Sequence, residues 1–357
     1  MARQADAARK ADRMQDAIDL YDAGVHLRPT WKDGWWWLGS LLYDQDRFPE
    51  AQAALKHFVR LSPQPAPAYA FLGLCEYETH DYANALTSFQ MWARRGSPGT
   101  DQLIDVAGFH WALLLIRQRH FVEALYLLAA QVEKFGMNPA LKEAMGLASL
   151  RMPSLPEEYP PDRREMVWLA GEAAVFASLR PHQFERADEY ANRLLLRYGT
   201  EANVHYFRGT LFGFEDKRPE AEQEFLKELQ ISPKHVPAML ELARLHLLDD
   251  PATSISFARN AVQTEPKNPE AHHTLGRALL ATQAFPESAR ELEAAKELAP
   301  DSASIRYQLA EAYRKLGRRK DAERETAAFN LLKDKQQILA PPEEKLRTPV
   351  KSLGTSK

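Results

Sequence analysis

Cysteine is almost absent from this chain. Cys75 stands alone among 357 residues, which excludes an intrachain disulfide and a cysteine-built zinc site. An excess of charge is also missing: 46 Lys and Arg against 49 Asp and Glu leave a net charge of −3. No basic field exists to hold a polyanion, which argues against a generic nucleic-acid coat. Long apolar runs are missing too. The strongest, Phe109 to Ile116, ends at Arg117 and Arg119, well short of the ~20 residues a spanning helix needs. The N-terminal stretch MARQADAARKADRMQDAIDL is charged and has no apolar core of a secretory leader. The expected compartment is the cytoplasm, or the periplasm should a leader precede Met1. Metal and cofactor motifs are missing as well: there is no G-x-S-x-G, no G-x-G-x-x-G, no P-loop and no H-E-x-x-H. Neither a cofactor nor a metal is expected.

What remains is ordinary for a folded protein, with 45% apolar and 27% charged residues. The informative feature is self-similarity. Trp35-x-x-Leu38-Gly39-x-x-Leu42, followed by Ala51, Leu55 and Pro63, returns 34 places later as Tyr69, Leu72, Gly73, Glu76, Ala85 and Phe89. His205, Arg208, Gly209, Phe212, Ala221, Phe225 and Pro233 keep the spacing, as do His272, Leu275, Gly276, Leu279, Ser288, Leu292 and Pro300. A last copy holds Arg306, Leu309, Ala310, Tyr313 and Ala322, with Phe329 at the end of its second helix. Weaker copies start near Asp105 (Trp111, Ala112, Leu115, Ala124, Leu128) and near Trp168 (Ala174, Ser178, Ala187, Ala191, Gly199). The small residues let two helices cross closely, and the prolines stop the second helix by removing an N–H and crowding the preceding turn.

This pattern resembles the tetratricopeptide repeat, W-x2-L-G-x2-Y…A-x3-F…P over 34 residues. The resemblance implies an all-α chain: a right-handed superhelical α-solenoid of about nine or ten helix-turn-helix units. The spacing predicts a weak or capping copy at 1–31 and an array over 32–152. A proline-rich interruption at 153–162 follows, then a second array with a capping helix at 163–338, and a disordered tail at 339–357. The array type is bacterial in style, and such repeats commonly serve assembly, secretion or envelope processes. Pro139 to Met152 reads as a first helix whose partner is replaced by MPSLPEEYPPDRR. Pro153, Pro156, Pro160 and Pro161 forbid a helix there. Leu155 and Tyr159 are the apolar anchors that should hold this segment against the surface.

The resemblance also implies that first helices line a concave groove. Its expected peptide contacts are Trp36, Tyr43, Leu74, Tyr77, Phe109, Leu113, Ile116 and Arg117 in the N-terminal half. In the C-terminal half they are Tyr206, Phe214, Arg244, Arg277, Tyr307 and Arg314. Apolar anchors would dock early in the groove and acidic groups near the arginines, since Tyr, Trp and Arg dominate energetic centres of interfaces. One subclass of the family clamps a carboxylate with Lys and Asn. Its Lys slots here hold Trp36, Ala70 and Phe109, and its Asn slots hold Ser40, Leu74 and Leu113, so that subclass does not fit.

Catalytic constellations are not found. His272 and His273 are adjacent and point ~100° apart on a helix, so they do not chelate one ion together. Asp44-Gln45-Asp46 sits at a turn, Cys75 lacks a neighbouring base, and Glu76 and Glu78 merely flank Tyr77. The sequence therefore points to a non-enzymatic protein–protein scaffold of unspecified oligomeric state, with no nucleic-acid partner and no membrane insertion. The alternative is a glycan or envelope-assembly adaptor that stacks sugars on Trp31, Trp35, Trp36, Trp37 and Tyr43. A helical-repeat nucleic-acid reader ranks third.

Overall fold

The computed structural model describes residues 1–62, 66–179 and 182–339. Among them are nineteen α-helices and one short 3-10 turn, and no strand. The chain divides into two compact units, Met1–Arg193 and Leu194–Lys357. The N-terminal unit holds α1 Ala2–Lys10, α2 Met14–Leu27, α3 Lys32–Asp44, α4 Phe48–Leu61, α5 Ala66–Glu78 and α6 Tyr82–Ala93. It continues with α7 Asp101–Arg117, α8 Phe121–Phe135, α9 Pro139–Ser149, α10 Arg164–Ser178 and most of α11 Phe184–Tyr198. The C-terminal unit holds α12 Val204–Phe214, α13 Arg218–Ile231, α14 Val236–His246, α15 Pro251–Thr264, α16 Pro269–Ala281, α17 Phe285–Leu298, α18 Ala303–Lys315 and α19 Arg319–Leu339. Each unit is a stack of helix pairs, the all-α architecture of a solenoid of helical repeats.

All first helices but α14 end the same way. One residue takes left-handed backbone: Asp12, Asp46, His80, Arg119, Arg151, Asp216, Gln283 or Gly317, with φ from 52° to 72°. The next N–H then reaches back to a carbonyl five residues earlier, as Arg47 does to Leu42 and Ala284 to Leu279, both at 2.9 Å. This bond satisfies a carbonyl that the helix end leaves open and reverses the chain into the second helix. Several second helices then start with proline in the first turn, at Pro49, Pro219, Pro251 and Pro286. There the missing N–H costs nothing.

Close crossing is what the small residues supply. A Cβ at Gly73 would lie 2.7 Å from the Phe89 ring, and one at Gly276 2.6 Å from Leu292. The facing alanines Ala51, Ala85, Ala124 and Ala221 are fully buried. Where serine replaces alanine, its hydroxyl finds a carbonyl: Ser288 Oγ donates to the Gly276 oxygen at 2.7 Å, which satisfies the buried polar atom. Between crossings the core is filled by Leu55, Phe89, Leu128, Leu292 and Leu309, all fully buried. Each is worth about 1.5–3 kcal/mol of burial.

The middle of the chain departs from the 34-residue register. The partner of α9 is not missing; it is α10, displaced down the sequence by the proline-rich segment. The two helices pack as closely as any pair in the molecule. Their crossing uses two glycines, since a Cβ at Gly146 would lie 2.0 Å from the Val167 carbonyl oxygen and one at Gly171 2.0 Å from that of Lys142. So α10 is a second helix, and the copy read as starting near Trp168 is out of frame. In consequence α11 follows a finished pair, and it rests on α10 through Tyr190 stacked on Phe176 at 5.7 Å. The proline-rich segment lies inside the N-terminal unit and marks no boundary. Its anchors behave as expected: Leu155 is fully buried and Tyr159 nearly so. Of the tail expected over 339–357, Leu339 ends α19 and the rest falls outside the described residues, as does the turn at Pro63.

Candidate functional site

Within each unit the first helices approach one another in succession: α3 to α5 to α7 to α9, and α14 to α16 to α18. The second helices do so less. The side on which helices converge is the inner side of a curved stack, so the first helices form the inner wall of each unit.

In the N-terminal unit this wall is largely satisfied by its own groups. Leu74, Leu113 and Ile116, expected at the groove, are buried core residues and cannot meet a partner. The reason is register. These apolar side chains point between converging first helices, which close over them, whereas a long charged side chain at that register can reach past the helices to water. Trp36 is half-buried, with its ring 5.3 Å from Phe58 and 5.7 Å from Phe71. Tyr43 packs on Phe71 at 5.1 Å and Phe48 at 5.7 Å. Tyr77 packs on His110 at 4.6 Å and Tyr82 at 5.4 Å, and Phe109 lies beside His110 at 5.6 Å.

The proline-rich segment then adds its own contacts to this wall. Glu158 is ion-paired with Arg117, and the Tyr159 hydroxyl donates to Glu143. Burial, and then the nearby carboxylates of Glu157 and Glu158 among others, raise the Tyr77 phenol. The exposed tryptophan platform of the glycan reading is not present. Trp35 is buried and stacked on His57 at 4.4 Å, Trp37 lies beneath the Arg9 guanidinium at 3.7 Å, and Trp36 and Trp37 are tilted by 60°.

The C-terminal unit differs. Tyr206 is buried against Phe225 and is core, so it too leaves the contact set. Phe214 (74% exposed) and Tyr307 (46%) face water, and Arg314 is exposed. Arg244 is neutralised by Glu241 at 2.5 Å and Glu270 at 2.7 Å. Arg277, one turn-pair along on α16, forms no ion pair or hydrogen bond among the described residues. It feels Glu270 only at longer range, and burial and Arg244 both lower its pKa.

Beside Arg277 is a cavity of about 370 Å³ lined by His273, Arg277, Ser304, Tyr307, Gln308 and Phe329. The Tyr307 and Phe329 rings form one wall, 5.5 Å apart. His273 is 93% buried (7% exposed), and its Nε2 has no hydrogen-bond partner. Burial pushes its pKa down to about 4, against Glu270 and with help from Arg277 and Arg244. The imidazole is therefore neutral at pH 7. Of this lining the sequence pointed to Arg277 and Tyr307 as groove contacts and missed Ser304, Gln308 and Phe329. Phe329 belongs to a second helix, where no groove residue was sought.

The remaining sequence candidates carry no chemistry. His272 Nδ1 meets Glu291 at 2.7 Å and its Nε2 meets the Pro266 oxygen at 2.9 Å, while His273 faces the cavity. The two rings share no site. Cys75 is fully buried, and burial pushes its thiol up to about 12, so it is not a thiolate at neutral pH. Among the described residues no group of three metal-ligating side chains converges, and no helix is long and apolar enough to cross a membrane.

Comparison with known proteins agrees with the repeat register. Tetratricopeptide-repeat family models match residues 38–100 and 248–304, one stretch in each unit. No curated protein matches the chain. Among solved structures, a MamA RS-1 double mutant is 16% identical, with 49% of this chain and 97% of that chain covered and a TM-score of 0.44. MamA from Desulfovibrio magneticus RS-1 is also 16% identical, with 49% and 96% covered and a TM-score of 0.41. YrrB, described as a TPR protein with an unusual peptide-binding site, is 18% identical, with 49% and 88% covered and a TM-score of 0.40. With matched repeats in both units and helix pairs crossing at the signature small residues, the chain carries tetratricopeptide repeats.

Proposed function

We propose that this is a non-enzymatic scaffold that holds a segment of a partner protein along the inner wall of its C-terminal unit. Protein binding is the general role of such repeats, and the wall of α14, α16 and α18 is where this chain leaves side chains unsatisfied. The observation that carries the reading is the contrast between the two walls. In the N-terminal unit the rings pack on each other and Arg117 pairs with Glu158. In the C-terminal unit Tyr307 and Phe214 are exposed and Arg277 has no ion pair. Packed helix pairs fix the wall before binding, so little backbone ordering opposes association. Of the N-terminal contacts, the reading extends only to the half-buried Trp36, Tyr43, Tyr77 and Phe109, and to Arg117 if its pairing with Glu158 is exchanged.

Affinity capture from the source cell tests this. Wild type is compared with Tyr307→Ala/Arg314→Glu on the inner wall and with Tyr126→Ala on α8, where Tyr126 is 75% exposed. The expected result is a partner whose recovery falls about tenfold or more with the inner-wall variant, as for a central interface residue. Recovery should hold with Tyr126→Ala. Equal recovery with all three proteins contradicts the proposal.

A further inference from the structure

The cavity between α16, α18 and α19 has a chemistry of its own, and reading it deepens the scaffold proposal and rests on it. It has one cation with no ion pair or hydrogen bond among the described residues, Arg277; Glu270 acts on it only at longer range and is held by Arg244 at 2.7 Å. It has one buried ring nitrogen with no partner, His273 Nε2. It has hydroxyl and amide groups at Ser304 and Gln308, and a wall of carbon from Tyr307 and Phe329.

We infer that this cavity binds a carboxylate presented by an extended segment of a partner protein. A planar carboxylate matches the guanidinium fork of Arg277 in shape and in charge. The tautomer of neutral His273 with its proton on Nε2 gives the second donor, and so satisfies an atom that is otherwise orphaned. Arg244 and Arg277 together balance Glu241 and Glu270, so the site has no surplus charge to hold a phosphate dianion, and a monoanion on Arg277 leaves the least charge unmatched in a half-buried site. The aromatic wall takes the methylenes or apolar side chain that accompany the carboxylate. Both a side-chain and a C-terminal carboxylate have this chemistry.

The test uses the full chain labelled with 15N, read through the His273 ring nitrogens, with the signal assigned by His273→Phe. The probes are N-acetylglutamate N-methylamide (a side-chain carboxylate) and N-acetylleucine (a terminal one). Each is paired with its neutral amide, and inorganic phosphate is the third anion. The expected result is a saturable shift on the order of millimolar for at least one carboxylate, as for a single charge-assisted contact pair. The amide should bind about tenfold or more weakly, and Nε2 should become the protonated nitrogen in the complex.

Arg277→Gln should remove the shift, while Arg277→Lys should keep the charge but weaken binding by losing the fork. No saturable shift, amides equal to acids, or tighter binding of phosphate overturns the inference. So does a gain in probe affinity with Glu343→Gln/Glu344→Gln, which would make the chain's own C-terminal segment the occupant. Capture of a partner that survives Arg277→Gln defeats the cavity assignment and leaves the scaffold intact. Probe binding in a protein that captures nothing through this wall defeats the scaffold instead.

Discussion

Gly146→Ala is expected to cost about 3 kcal/mol or more and to disrupt the α9–α10 pair, although it adds a single methyl group to a helix. The new Cβ would sit 2.0 Å from the Val167 carbonyl oxygen and 2.9 Å from its carbon. Both atoms are backbone, so no side-chain rotation relieves the clash and the helices must separate. Separation removes burial from Leu147, Val167, Leu169 and Ala170, which are all at 1% exposure or less. It also loosens the proline-rich segment that lies between the two helices in sequence. Helix propensity alone would favour alanine over glycine by about 1 kcal/mol, so the sign of the result separates packing from propensity. Gly213 is the control: a Cβ there meets nothing within 4 Å, and Gly213→Ala should be neutral or stabilising. Urea denaturation followed by far-UV circular dichroism reads both. Equal stability of Gly146→Ala and wild type would refute the crossing. Gly73→Leu should act similarly on the α5–α6 pair, through the Phe89 ring 2.7 Å away.

Acidification should weaken the C-terminal unit well before carboxylates are protonated. The cause is His273, whose pKa falls from its ordinary value of 6.5 to about 4, chiefly through burial. The native imidazole stays neutral while the unfolded chain takes up a proton. The unfolded state therefore binds more protons between pH 6.5 and 4, and stability falls with pH across that window. Below pH 4 both states are protonated at this site and its slope ends. The total is on the order of 3 kcal/mol, with the opposing pull of Glu270 already contained in the value of about 4. Glu270, Arg244 and Arg277 are the charged groups that act on the ring. A second loss sets in at the acid end of this window, as pH falls below the ordinary carboxylate value of 4.5. Burial works to raise Glu325, but hydrogen bonds and charge from Arg306 and Lys296 hold it below the usual carboxylate range. Stability from such a group is present above its unfolded pKa and disappears as pH falls through the folded one. Thermal melts from pH 7 to 4 should show the first slope in wild type and not in His273→Phe. An identical slope in both proteins would show that the ring titrates normally.

Much of this fold is legible in the sequence because its repeats are made by local chemistry. Gly39 with Leu55, Gly73 with Phe89 and Gly276 with Leu292 recur at fixed spacing, and each meets its partner in space. The α9–α10 pair was lost because the proline-rich segment shifts the second helix out of the 34-residue frame. The signal that remained was composition: Ala170, Gly171, Ala173 and Ala174 form a run of small residues fit for a close crossing.

The site was harder to read. Periodicity shows which residues face the inner wall but not how far neighbouring first helices close over them. Leu74, Leu113 and Arg277 share one register, yet the leucines are core and the arginine reaches a cavity. Nor does spacing show that Glu158 pairs with Arg117 from a segment outside the repeat, or that Phe329 closes the wall beside Tyr307.

The central claim is that partner contact runs through the inner wall of the C-terminal unit while the N-terminal wall is occupied by its own chain. Site-specific photo-crosslinking in the source cell tests it most directly, with benzoylphenylalanine placed singly at Tyr307, Tyr77 and Tyr126. The expected result is an intermolecular adduct from position 307, an intramolecular adduct to residues 153–161 from position 77, and neither from position 126. Intermolecular adducts from position 126 with none from position 307 would contradict it.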